Sequence, residues 1–315
     1  VAFWPALDND FVDWDDQVFL KNNYRYRGLD AEHVRWAFTA FHEGHYQPLS
    51  WLSYGLDYRI WGMNPTGYHL TNLILHAANA LLVYLLASSL LRLAVGAKGP
   101  GRPTTAVVLG AMVAALSYAL HPMRVESVAW ATERRDVLSG FFYLLTVLLY
   151  VGACARRADR RPSILVLVLC WLLGSAALLA KVMSVSLPIV LMVLDVYPLR
   201  RLSGDPLRWL SKRSRRIWVE KLPLLLAMVG FMIVAYMAGE RARSSLAEFG
   251  IADRVANMAY GYAFYLYKTA WPVVLLPLYE MPVRMNPAEL RYLLSGAAVL
   301  VITALLLLLR RKVPG

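Results

Sequence analysis

Hydrophobic and polar positions change their pattern near residue 65. Before that point apolar residues are scattered among polar ones; beyond it, apolar runs follow one another with short basic interruptions. A helix that crosses a bilayer needs roughly 20 mostly apolar residues. On that measure the pattern predicts spans over residues 68–93, 105–120, 137–155, 163–180, 185–197, 222–238 and 293–309. The run 185–197 is short, so it either tilts little or sits in a thinned region. Residues 253–270 are helical in pattern but rich in aromatics: Tyr260, Tyr262, Phe264, Tyr265 and Tyr267. Residues 1–7 read as the last turns of a first transmembrane helix whose beginning is absent.

Residues 8–64 form a polar loop with two helical patterns of its own. Asp30 is placed to cap a helix, with Leu29 before it as a staple. Val34, Ala37, Phe38 and Phe41 then fall on one face. After Pro48, Leu49, Leu52, Leu56 and Ile60 share another. Both stretches are too short and too polar to span. They read as amphipathic helices lying on the membrane surface, with Trp36, Trp51, Tyr58 and Trp61 suited to the interface.

Composition agrees: 58% of the residues are hydrophobic, and the mean hydropathy is +0.46. The chain is expected to be an all-α, polytopic transmembrane bundle whose first partner is the lipid bilayer. Residues 1–315 read as one membrane-embedded module, with the loop 8–64 and the bundle 65–315 as its parts. The net charge of +12 does not imply a nucleic-acid partner, because the basic residues cluster in short loops between apolar runs. That is the positive-inside pattern. Arg92, Lys98 and Arg102 mark one cytoplasmic end; Arg156, Arg157, Arg160 and Arg161 mark another. The acidic loop 8–64 and the turn 121–136 then lie outside. If Arg310, Arg311 and Lys312 are cytoplasmic too, residues 253–270 form a re-entrant or surface helix. The alternative is that they span and the last basic cluster is outside. Cys154 and Cys170 lie within apolar runs and imply neither a disulfide nor a metal framework.

Polar chemistry gathers at the outer face. Asp8, Asp10, Asp13, Asp15 and Asp16 crowd one short stretch of the first loop. Carboxylates are excluded from hydrocarbon, so such a loop either sits solvated or faces a partner. The 121–136 turn and Lys181 share its side. A carboxylate there can take a proton from an acceptor hydroxyl, and Arg or Lys can hold a phosphate as charge develops on it. Lys181 either binds such a phosphate or snorkels to the surface. His69, Asn72 and His76 share one helix face, where interhelical hydrogen bonding is the commoner use; no metal is expected.

Five stretches carry a resemblance: Trp14-Asp15-Asp16, residues 64–76 (Asn64-Pro-Thr-Gly-Tyr-His-Leu-Thr-Asn-Leu-Ile-Leu-His76), residues 121–130 (His121-Pro-Met-Arg-Val-Glu-Ser-Val-Ala-Trp130), Glu133-Arg-Arg-Asp-Val-Leu-Ser139, and Ala180-Lys-Val-Met-Ser-Val-Ser-Leu-Pro188. In order and spacing they resemble the transmembrane and tetratricopeptide-repeat O-mannosyltransferases of animals and their bacterial relatives, within the GT-C superfamily. The likeness runs from Asp8 to about Pro282. It implies a GT-C bundle in a bacterial inner membrane, with its site on the extracytoplasmic side. It implies inverting transfer of a sugar, mannose by family, from a polyprenyl phosphate to a Ser or Thr hydroxyl of a protein; a glycan acceptor stays open. No tetratricopeptide repeat is visible in this sequence. Asp15 and Asp16 match the family's acidic catalytic pair, with Asp15 the preferred base. Arg134 matches a basic residue that either faces the donor phosphate or pairs with Asp136 or Glu133. His121 and Glu126 match a His-Pro-x-His-x-Glu pattern whose second His is Arg124 here, which adds a possible phosphate contact. Asp10 and His69 are supporting residues. The competing reading is a non-catalytic lipid-sugar binder or flippase-like transporter, which would carry an internal repeat and charges near mid-membrane. No repeat is seen, and Asp195, the one charge inside an apolar run, is expected to face the cytoplasmic headgroups.

Overall fold

The computed structural model describes residues 2–96, 103–156, 161–211, 214–239, 249–276, 278–279 and 285–309. Lys98, Arg102, Arg157, Arg160, Arg310, Arg311 and Lys312, used above to orient the chain, lie outside these residues. The described residues form helices, and none of them forms a strand. In chain order the α-helices are α1 (Ala31–Thr39), α2 (Pro48–Trp61), α3 (Pro65–Ala94), α4 (Thr105–Leu120), α5 (Arg124–Ala129), α6 (Arg134–Arg156), α7 (Ile164–Ala180), α8 (Leu187–Val196), α9 (Arg215–Ala238), α10 (Ile251–Ala270) and α11 (Leu290–Leu309). Four helical stretches are long and apolar enough to cross a membrane: Pro65–Ala94, Ala131–Ala155, Arg215–Ala238 and Leu290–Leu309. Three shorter apolar helices, Thr105–Leu120, Ile164–Ala180 and Val182–Val196, accompany them. The chain is a multi-pass, all-helical membrane protein. Its exposed Leu300, Leu306 and Leu308 on α11, or Val113 and Leu116 on α4, are what a lipid-facing surface requires.

Two compact units divide the chain, Val1–Arg241 and Ala242–Gly315. In the second, α10 pairs with α11, and Tyr260 meets Tyr292 at 5.7 Å. Lys268 closes the loop after α10 by donating to the carbonyls of Val273 (2.6 Å) and Val274 (2.9 Å).

In the first unit α3 is the spine, flanked by α4 and α6. Its start is fixed by Asn64, whose side chain accepts from Thr66 N–H at 3.1 Å, followed by Pro65. Polar residues then join it to its neighbours. Asn79 donates to the Val137 carbonyl at 2.8 Å, and His76 Nε2 meets the Ala119 carbonyl at 3.0 Å. Ser139 of α6 donates to the Ala177 carbonyl of α7 at 2.9 Å. The apolar core below is built by Val147, Val151, Cys154, Cys170, Leu191 and Leu224, among others. Gly174 permits its closest approach, since a methyl group there would meet Leu224 Cδ2 at 2.6 Å.

The loop helices differ from expectation in detail. Asp30 caps α1, accepting from Glu32 N–H (3.0 Å) and His33 N–H (3.2 Å). That helix ends at Thr39, so Phe41 falls beyond it. On α2 the inward face is Ser50, Trp51, Tyr54 and Asp57, while Leu56 and Ile60 stay exposed. The polar groups turn inward because partners wait there: Ser50 donates to the Ala180 carbonyl at 3.0 Å and Tyr54 to the Thr132 carbonyl at 2.7 Å. Of the apolar face, Leu52 packs against the core of the loop, and Leu56 and Ile60 are left exposed. Residues Trp4–Asp8 form a 3-10 turn packed on α3, with Pro5 inside it, in place of the expected α-helical turns.

Asp195 corrects the expectation most plainly. It does not face headgroups; it is fully buried. Arg201 pairs with it at 2.9 Å and Lys221 at 2.7 Å, and Tyr150 donates to it at 2.8 Å. Arg201 also pairs with Glu220 at 2.5 Å. The chain doubles back after α8, so that Arg201 and Leu202 N–H groups donate to the Asp195 carbonyl at 2.7 and 2.9 Å. A buried carboxylate persists only with such compensation. Asp195→Ala would strand the Lys221 ammonium and leave Arg201 with Glu220 alone, a loss of about 3–5 kcal/mol. The expected outcome is a marked fall in the thermal unfolding midpoint of the detergent-solubilised protein; an unchanged midpoint would refute this role.

Candidate active site

The acidic pair of the first loop separates into two environments. Asp16 has no exposed surface. Its carboxylate accepts from Val12 N–H at 3.0 Å and from Thr132 N–H at 3.1 Å. It therefore clamps the first loop onto the 130–132 turn. Burial pushes its carboxyl above the ordinary range, and those hydrogen bonds oppose the rise. Asp15, one residue back, keeps a third of its side chain exposed and faces Arg135 at 3.7 Å. Burial raises its carboxyl too; Arg135 opposes this, and the nearby Glu133 and Glu43 charges add to it. Trp14 stacks on Trp130, with ring centroids 5.5 Å apart and planes within 24°.

Arg135 belongs to a chain of ions. Its guanidinium grips Glu133 with Nε at 3.0 Å and with Nη2. The other Glu133 oxygen takes Lys181 Nζ at 3.2 Å, and Lys181 also pairs with Asp136. Ser127 donates to the remaining Asp136 oxygen at 3.0 Å. Lys181 is held at the end of α7, where its N–H donates to the Ala177 carbonyl at 3.0 Å. Around the rim, Glu126 is exposed, and partial burial with the Glu133 and Asp136 charges raises its carboxyl. His42 and His45 close a tight turn in which Glu43 (φ 48°) and Gly44 (φ 76°) are both left-handed. Partial burial, then the Arg135 charge, push the His45 imidazole down to about 4, so it is neutral near pH 7.

Arg134 is not at this surface, which corrects its expected phosphate role. Its side chain is wholly buried and paired with Asp57. It donates to Asn72 Oδ1 and to the Tyr68 carbonyl, each at 2.8 Å, and lies over the Tyr54 ring at 4.8 Å. Its donors are spent inside the protein. The physical reason is where α6 begins. A 3-10 turn over Ala131–Glu133 delivers Arg134 to Asp57 and Arg135 to Asp15 and Glu133. Arg124 is likewise drawn elsewhere: its guanidinium lies over the Tyr118 ring of α4 at 4.4 Å. His121 shapes its own turn, with Nδ1 accepting from Met123 N–H at 3.3 Å. Asp10 is exposed and accepts from Phe11 N–H at 2.7 Å. His69 is buried beneath the loop, where Asp16 and Asp10 are among the charges that bear on it. Asn72, beside it, donates to the Trp130 carbonyl at 3.0 Å. Among the described residues no group of three or more His, Cys, Asp or Glu is arranged to hold a metal ion.

Sequence reasoning passed over Glu133 and Arg135 as site residues, and Glu43 and His45 altogether. The Glu-Arg-Arg-Asp run offered a signal for the first two. The second two are brought in by a turn whose direction only the fold sets.

Helical membrane bundle and ionised loop together define a multi-pass membrane protein with a candidate active site at one end of its first unit. Sequence comparison is then specific. The chain is 32% identical over 175 residues to protein O-mannosyl-transferase tmtc2 of Xenopus laevis, covering 53% of this chain and 19% of that protein. It is 34% identical over 163 residues to protein O-mannosyl-transferase Tmtc1 of Drosophila melanogaster, covering 51% and 17%. It is 30% identical over 196 residues to protein O-mannosyl-transferase TMTC4 of Homo sapiens, covering 58% and 26%. The chain is a sequence relative of these proteins, and it spans only about a fifth to a quarter of their length. No family model matches the chain, and no solved structure matches it.

The clamp made by Asp16 can be tested directly. Asp16→Ala removes two charge-assisted hydrogen bonds, worth about 1.5–3 kcal/mol each. Amide exchange is expected to rise in the 12–17 segment and the 130–132 turn while α3 and α7 stay protected.

Proposed function

We propose that this protein is a glycosyltransferase that moves mannose from a polyprenyl phosphate to a hydroxyl group of a protein, with inversion. The observation that carries this reading is the partly exposed Asp15 carboxylate set against Arg135 and the Lys181–Glu133 pair. In the proposed step Asp15 takes the proton of the acceptor hydroxyl. The acceptor oxygen attacks the anomeric carbon, the bond from that carbon to the phosphate oxygen breaks, and the polyprenyl phosphate leaves. Arg135 and Lys181 offset the charge that grows on the leaving phosphate. Asp16 holds the loop, and no metal takes part. The relatives, protein O-mannosyl-transferases by name, support the choice of sugar and of a protein acceptor. The basic loops support a site on the extracytoplasmic side, and a bacterial inner membrane is the proposed location. A transporter would draw on buried charges, but the Asp195 cations are already neutralised by their own partners.

Transfer from radiolabelled polyprenyl-phosphate mannose to a mixed protein acceptor pool tests the reading. Asp15→Asn is expected to lower turnover by about 10²–10⁴-fold; transfer that survives the change would sink the base assignment. Only ionised Asp15 can accept a proton, so activity should fall as pH drops through its raised value, above the ordinary 3.8. Glu43→Gln removes a charge that raises Asp15, and should move the acid limb to lower pH. Arg135→Gln removes a charge that lowers it, and should move the limb to higher pH. Sidedness is checked separately: a cysteine placed at the exposed Asp13 should react with an impermeant maleimide from outside only, since Cys154 and Cys170 are buried.

A further inference from the structure

We infer that Trp14, stacked on Trp130, is the platform on which the sugar ring of the donor rests. This rests on the glycosyltransferase reading above and adds a residue to it. Three observations meet at this point. Trp14 directly precedes Asp15, and 44% of its surface is exposed, so one indole face is open beside the candidate base. Its other face is fixed by the parallel Trp130 ring at 5.5 Å. The Asp16 clamp, from Val12 to Thr132, holds both segments together. An exposed ring fixed this way loses little freedom when a ligand covers it.

The chemistry around the ring selects the ligand. Asp13 and Asp15 flank Trp14 in the chain, one exposed and the other partly so, the Glu43 charge bears on Asp15, and ionised carboxylates only accept hydrogen bonds. Arg135 and Lys181, the cations of this network, are already engaged by Glu133 and Asp136. An excess of acceptors next to a flat apolar face suits a polyol, whose hydroxyls donate and whose C–H face stacks. A pyranose has both. The tetrahedral, charged phosphate of the donor has no apolar face to lay on the ring, so the platform reads the sugar and not the phosphate.

The test separates these parts. Two short-chain probes are titrated calorimetrically into the detergent-solubilised protein: citronellyl phosphate mannose and bare citronellyl phosphate. The unmutated protein is expected to bind the sugar-bearing probe more tightly. Trp14→Ala should weaken the sugar-bearing probe about tenfold and leave the bare phosphate unchanged; Trp14→Phe, which keeps an aromatic face, should stay within about threefold of the unmutated protein. Equal weakening of both probes by Trp14→Ala would make the residue a lipid anchor and overturn the platform. So would unchanged binding of the sugar-bearing probe, or an unmutated protein that binds the two probes equally. Asp15→Asn should still bind both probes. If it also still transfers sugar, the base assignment fails while the platform stands.

Discussion

A guanidinium withdrawn from water sets the geometry of the first unit. Arg134 has no exposed surface, and its charge is met by Asp57 of α2. Its remaining donors reach carbonyl or amide oxygens of α2 and α3. Removing one partner of such a pair costs far more than the pair contributes, because an uncompensated charge is left behind. The two helices from the loop and the spine are therefore locked to the first residue of α6. That lock decides which way the next residue points. Arg135 turns to Asp15 and Glu133 because Arg134 turns to Asp57.

The two ends of the first unit use ions differently. Around Asp195 every charge is sealed and neutralised, which holds α6, α8 and α9 to the chain reversal after α8. Around Arg135 the charges are equally close, but Asp15, Asp136 and Lys181 keep part of their surface open. A sealed network stabilises a shape; a partly open one, with a carboxylate raised by burial, can exchange protons and accept a ligand.

Much of this was legible from the residues. Apolar runs of the right length predicted the described long helices to within a few residues, because lipid demands unbroken helical backbone and leaves little alternative; the exception is α9, which begins at Arg215, well before the expected residue 222. Asp30 and Pro48 likewise announced the loop helices. The acidic pair was visible, but its division into a clamp and an open carboxylate was not. That depends on Thr132, more than a hundred positions away in the chain. Arg134 misled for a similar reason: two adjacent arginines look alike until the start of α6 assigns them to opposite sides. On α2 the apolar pattern did mark a face, and the fold buried the other one, since Ser50 and Tyr54 had carbonyl partners waiting.

The polar contacts along α3 carry a mechanical consequence. Asn72, His76 and Asn79 lie on successive turns, and each is bonded to a backbone carbonyl of a neighbouring segment. Sliding the helix by one turn, about 5.4 Å, would break all three contacts together. In hydrocarbon there is no water to take their place. The spine thus has one permitted register, a vernier that is set when the helices assemble and does not drift afterwards. A lipid-facing helix with only leucines at its seam would have no such stop.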